Sequence, residues 1–162
     1  MRPRERYLSK RQADEAARLA RLHFTPAAEG EPHFNCAESV LLATAEALGI
    51  RSDAVPKAAS AFGGGMARQG NACGAITGSL IAIGLARGRE SKADLREPSY
   101  DPGAELQRRF LTRFGAATCR ELTGCDITTA EGYAAYAAAG GNQRCGDYVE
   151  LAARTVADLL GD

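Results

Sequence analysis

The sequence predicts an all-α fold, a compact bundle of about six helices around a buried Gly/Ala-rich central helix. Three observations carry that expectation. Apolar residues recur three and four apart along most of the chain, as on one face of a helix. No stretch alternates apolar and polar residues as a half-buried strand would. Side chains are also small, with 18 glycines and no tryptophan among 162 residues. A core of that material fills space only if backbones approach closely.

The elements follow in order. Residues 1–8 are read as a flexible N-terminal extension of a single domain spanning residues 1–162. Ser9 to Leu22 reads as a charged amphipathic helix with Ala16, Leu19 and Ala20 inward. Two prolines and a glycine make Thr25 to Pro32 a loop. Asn35 then suits an N-cap, with Glu38 three residues on to complete a capping box. Val40, Leu41, Ala45 and Leu48 line the helix that follows, and Gly49 stops it. A short helix from Asp53 to Phe62 leads into Gly63-Gly64-Gly65, a flexible turn or a place of close backbone approach.

Cys73 to Gly88 is apolar on nearly every side and is expected to be the buried central helix. Gly74 and Gly78, and again Gly84 and Gly88, stand four apart, so each pair shares a face that a neighbouring backbone can approach. Asp101-Pro102 predicts an N-cap with proline at the first helical position. Leu106, Phe110, Phe114 and Ala117 carry that helix toward Cys119 and Leu122, and Gly124 ends it. Thr129 to Ala139 reads as an alanine-rich helix ended by Gly140-Gly141, and Tyr148, Leu151, Ala152, Val156 and Leu159 stripe the last helix.

Composition excludes several classes. Twenty basic residues balance 20 acidic ones, which gives neither nucleic acid nor an anionic membrane a charged footing. Met1 to Tyr7 is charged with no apolar stretch behind it, so no signal peptide is read. The longest apolar stretch, Ala75 to Ala86, is too short to span a bilayer. A cytoplasmic protein is expected, where cysteines stay reduced unless they hold a metal or cycle catalytically. Five cysteines, an odd number, also argue against a simple disulfide framework. The absence of Cys-x-x-Cys removes a thioredoxin-type site and a paired zinc-finger framework, and the absence of Cys-x-x-Cys-His removes covalent haem. Gly65 to Gly70 has the glycine spacing of a phosphate loop, but Asn71-Ala72 stands where Lys-Ser/Thr is needed, so no nucleotide site is read.

The cysteines carry the chemistry. Cys36, Cys73 and Cys145 each stand where a helix is expected to begin, and free N–H groups with a partial positive charge there favour thiolate over thiol. One buried cysteine packs as a small hydrophobe; three at helix starts point to a thiol site for redox or metal chemistry. Cys119 and Cys125 stand six apart across an expected helix end and are near enough to share a site, while Cys125 before Asp126 equally suits a surface thiol. His33, three residues ahead of Cys36, is a further candidate ligand or base, or a plain loop histidine. With only His23 and His33 in the chain, a hydrolytic triad or a His-rich metal site has little material.

The order of motifs has a family likeness. Asn35-Cys36-Ala37-Glu38-Ser39-Val40-Leu41, Phe62-Gly63-Gly64-Gly65-Met66, Cys73-Gly74-Ala75-Ile76-Thr77-Gly78, Phe114-Gly115 through Cys119-Arg120-Glu121-Leu122, and then Cys145 follow one another. This pattern resembles the C_GCAxxG_C_C family of redox-active proteins, and is distantly similar to the cysteine domain of split-Soret cytochromes. The resemblance implies that Cys36, Cys73, Cys119 and Cys145 form the site, with Cys125 outside the pattern. It implies an iron–sulfur cluster carrier for electron transfer, or a thiol–disulfide relay in which Cys73 attacks and Cys36 or Cys145 resolves, in either case a thiol- or cluster-based oxidoreductase. Zinc held by the same four thiolates, and an assembly module with inert cysteines, are the rival readings. The glycine-faced helix and the split-Soret likeness both point to a homodimer; no electron donor or acceptor is legible.

Overall fold

Several helix starts in this chain are set by side chains that satisfy free N–H groups. The computed structural model describes residues 9–28 and 30–161. Ser9 caps α1 (Lys10–Phe24) in a capping box with Gln12. Asn35 caps α2 (Cys36–Leu48) by accepting from the N–H groups of Ala37 and Glu38, while the Glu38 carboxylate accepts from the Asn35 N–H at 2.9 Å. Gly49, left-handed at φ 66, closes that helix as expected. A 3₁₀ turn, Lys57–Phe62, replaces the longer helix read from Asp53. Then come α3 (Gly74–Arg87), α4 (Glu97–Phe114), α5 (Cys119–Thr123), α6 (Ala130–Ala138) and α7 (Gly141–Gly161). Among the described residues there is no strand, only an isolated antiparallel bridge between Ala72 and Thr118. The fold is all-α. Residues 1–8, read as an extension, lie outside the described residues.

Three further boundaries differ from expectation, each for a local reason. α4 begins at Glu97, with Pro98 in its first turn; Pro102 lies inside the helix and is buried, so Asp101 is not the cap. A proline this near the start forfeits only one ladder bond. The run expected to continue to Gly124 breaks at Gly115, whose left-handed φ of 77 lets its N–H bond back to the Leu111 carbonyl at 2.8 Å. Cys119 therefore opens the separate helix α5 behind the cap Thr118. Gly140 and Gly141 end α6 but also begin α7, which places Cys145 inside the last helix rather than at its start.

Packing relies on small residues. Ala13, Ala16, Ala17 and Ala20 of α1 are buried, and all but Ala17 sit in clusters that also hold Val149, Ala152, Ala153, Val156 and Ala157 of α7. α2 is buried along nearly its whole length. α3 runs against it through the first glycine pair: a Cβ on Gly78 would overlap the Ala37 carbonyl, and one on Gly74 would overlap the Cys36 sulfur. The second pair does not act this way. Gly84, Leu85 and Ala86 are exposed, nothing lies within 4 Å of a Cβ on Gly84, and Gly88 serves only as the C-cap. The centre of the bundle is thus shared by α2 and the first turns of α3. Among the described residues, no helix is long and apolar enough to cross a membrane.

The two glycine pairs should respond oppositely to alanine. Gly78→Ala is expected to destabilise the protein by about 1–3 kcal/mol through overpacking. Gly84→Ala should stabilise it by about 0.5–1 kcal/mol, because helical glycine loses more chain entropy. Urea unfolding of both variants checks this; equal effects would contradict the packing described.

Candidate thiol site

Four cysteines from four elements meet beside α2. Cys36 is the first residue of α2, and the missing side chain of Gly74 makes room for its sulfur. Backbone N–H groups of Gly64, Ala37, Gly74 and Cys36 itself lie near this sulfur and favour its thiolate, although that of Ala37 donates to Asn35 Oδ1. Cys73 is the N-cap of α3 and only 6% exposed; its sulfur makes no capping hydrogen bond, and the nearby Ala75 N–H only modestly favours its thiolate. The segment before it pairs with the segment before α5. The Cys73 N–H donates to the Ala117 carbonyl at 2.9 Å, and the Cys119 N–H donates to the Asn71 carbonyl at 2.7 Å. That short ladder brings Cys73 and Cys119 to one place. Gly65 allows it, since a Cβ there would sit 2.6 Å from the Cys119 Cβ. Cys145 arrives from α7, with the Tyr136 hydroxyl 3.4 Å from its sulfur and 2.9 Å from Asn142 Oδ1.

Cys36, Cys73, Cys119 and Cys145 line a cavity of about 20 Å³, together with Gly74, Leu122, Thr123 and Tyr148. A space of that size holds about one water molecule. Beside it lies a cleft of about 490 Å³, also lined by Cys36, Cys119 and Cys145 but not by Cys73. His33 lines this outer cleft, its ring edge-on to Phe24, and does not reach the inner cavity. Cys125 lines neither space; its N–H bonds to Thr123 Oγ1 at 3.3 Å, which leaves it apart from the other four. Among the described residues, no three His, Cys, Asp or Glu side chains stand grouped so as to hold a metal ion where they are.

Burial dominates the electrostatics. It pushes the Cys36 thiol up, against the backbone N–H groups that favour the thiolate. Cys73 is pushed well up, first by burial and then by the neighbouring Cys36. Burial also raises Cys119 to about 12, with Cys36 and Cys145 adding to it. Cys145 is raised to about 11, again mainly by burial, although Tyr136 opposes the shift. The expected low-pKa attacker at Cys73 is therefore not what this environment makes: the helix start is too dry for its partial charge to prevail. Tyr136 is pushed upward too, by burial and by the Cys145 sulfur.

The matched region spans all four cysteines: the family described as "Putative redox-active protein (C_GCAxxG_C_C)" matches residues 34–159. The chain belongs to the C_GCAxxG_C_C family. A protein from Archaeoglobus fulgidus, named only as an uncharacterized protein, is 32% identical over 97 residues, or 54% of this chain. This chain spans 64% of that relative's length. No solved structure matches the chain. In this member of the C_GCAxxG_C_C family the motif glycines have a visible task. Gly74 clears the Cys36 sulfur and Gly78 clears the Ala37 carbonyl.

Sequence reasoning missed Tyr136, which only the placement of Gly141 beneath its ring brings to Cys145. It also saw only a glycine turn where Gly64, Gly65, Met66, Ala67 and Arg68 all have positive φ, between 54 and 70.

Raised thiol pKa values predict slow alkylation of metal-free, reduced protein. At neutral pH, Cys145 should react about a hundredfold more slowly than in the urea-unfolded chain, since two pH units separate its pKa from the ordinary value. Its rate should climb until pH about 11, and that of Cys119 until about 12. Iodoacetamide labelling with peptide mapping checks this, and a rate that levels off near the ordinary thiol pKa would contradict it.

Proposed function

We propose that this protein is a redox carrier in which Cys36, Cys73, Cys119 and Cys145 hold an iron–sulfur cluster. The observation that carries the reading is the convergence of four cysteines on one small cavity, with backbone N–H groups close to the Cys36 sulfur. Sulfur-directed N–H groups and burial are the means by which a protein holds and tunes such a centre. The donor set suits it, because four thiolates are its usual ligands. Bound there, the cluster would supply reversible one-electron transfer.

The chain's own residues would do the rest. Leu122 and Tyr148 close the inner cavity against water, with the Tyr148 hydroxyl donating to the Leu122 carbonyl at 3.2 Å. Tyr136 supports the Cys145 sulfur, and Cys36, Cys119 and Cys145 face the outer cleft, where an electron partner has access. A thiol relay is supported less, because burial holds all four thiols protonated at neutral pH. Zinc is supported less by the spacing. A tetrahedral ion gathers sulfurs about 2.3 Å from itself and so about 3.8 Å from one another, and no three donors among the described residues are drawn in for a single ion.

Protein purified without oxygen should absorb visible light and contain iron and sulfide in stoichiometric amounts. Cys73→Ser or Cys119→Ser should lose at least most of both, and Cys125→Ser should keep them. Colourless protein with stoichiometric zinc, or iron retained in every cysteine variant, would overturn the proposal.

A further inference from the structure

The outer cleft is large enough for a small-molecule site, and its wall includes Gly64, Ala67 and Arg68 of the left-handed turn from Gly64 to Arg68. Met66, Ala67 and Arg68 each have a side chain there at φ 65, 54 and 63. A left-handed conformation costs such residues about 1–2 kcal/mol apiece. Cross-bonds hold the turn: the Ala67 N–H donates to the Ala61 carbonyl at 2.7 Å, and the Arg68 N–H donates to the Gly63 carbonyl at 3.1 Å. The conformation lays Arg68 across Gly64, where a Cβ would stand 3.0 Å from Arg68 Cα and Cγ. Its guanidinium carbon lies 5.5 Å from the centre of the Tyr133 ring, and both residues line the cleft.

Arg68 is the one Lys, Arg, Asp or Glu among the described residues lining the cleft. Arg21, Arg108, Arg109, Arg120 and Arg154 each pair with a carboxylate. Arg68 has no ion pair among the described residues, and no described Asp or Glu lines the cleft. Phe24 and Ile127 add apolar wall, while Tyr136 and Asn142 add polar atoms near Cys145. An uncancelled guanidinium beside apolar surface suits a planar monoanion with an apolar body. A single cation, with no second basic side chain beside it, suits a singly charged carboxylate better than a doubly charged phosphate.

We propose that the cleft binds a small organic carboxylate, its charge on Arg68 and its body against Phe24, Ile127 and Tyr133, beside the sulfurs of Cys36, Cys119 and Cys145. This goes beyond the redox reading and does not depend on which group the cysteines hold.

Calorimetric titration of the full chain at low salt tests it, with benzoate as the probe and benzamide and inorganic phosphate as comparisons. Iron and sulfide measured on each sample keep a lost cluster from being mistaken for a lost ligand. Benzoate should bind saturably, one per chain, and about tenfold or more tighter than either comparison. Arg68→Asn removes the charge with a residue that tolerates the left-handed turn, and should weaken benzoate about tenfold or more. Arg68→Lys should retain part of the affinity, and Arg113→Gln, altered at Phe114 outside the cleft, should retain all of it. No saturable benzoate binding, benzamide or phosphate binding as tightly, or an unaffected Arg68→Asn variant with native circular dichroism would each overturn the proposal.

Discussion

The contact between α2 and α3 is the constraint on which the rest of the structure depends. It is set where backbones meet without side chains between them: Gly78 lies against the Ala37 carbonyl and Gly74 against the Cys36 sulfur. Two helix starts are thereby brought together, each with a cysteine at or next to its first residue. The Asn35 cap reinforces the arrangement, since its amide donates to the Ser60 carbonyl while its oxygen holds the first turn of α2. The 3₁₀ turn ahead of the glycine triplet is tied to α2 by the same side chain. Larger residues at Gly74 or Gly78 would separate the helices and with them Cys36 from Cys73.

A second constraint draws in the remaining cysteines. The residues before α3 and before α5 share three backbone hydrogen bonds, including that from the Arg120 N–H to the Gly70 carbonyl at 3.1 Å. Backbone pairing of this kind fixes position more rigidly than side-chain packing, because its donors and acceptors cannot be left unmet when buried. Cys73 and Cys119 are therefore placed by the chain itself. Cys145 is held more loosely, by the seat of α7 in the bundle and by Tyr136 above Gly141.

Much of this was legible in the sequence. The Asn35–Glu38 capping box, Gly49, and the glycine pair four apart at Gly74 and Gly78 are local signals with a single physical meaning, and each matches the structure. Gly84 and Gly88 present the same spacing with no packing role, because periodicity cannot say whether a face has a neighbour. Gly115 was a visible stop signal overridden by the apolar run through Phe114 and Ala117. The bridge of Ala72 with Thr118 and the left-handed turn through Arg68 were illegible: one joins residues far apart in sequence, and the other puts side chains where local preference opposes them. Cys125, outside the family pattern of four cysteines, also lies outside both spaces.

Helix starts and burial pull the cysteines in opposite directions, and the balance explains the character of the site. Free N–H groups stabilise a thiolate, yet removing the sulfur from water penalises the same charge more strongly. Each additional thiolate in the cavity then raises the others, as Cys36 does to Cys73 and Cys119. Four thiolates in one dry cavity are stable together only beside a positive charge, and no described Lys or Arg lines that cavity. In the proposed reading the metal centre supplies that charge, and the N–H groups around Cys36 then act on its residual negative charge instead of on a bare sulfur. In that reading the helix starts suit an anionic metal–thiolate centre as a whole, while burial keeps the same thiols unreactive when they are free.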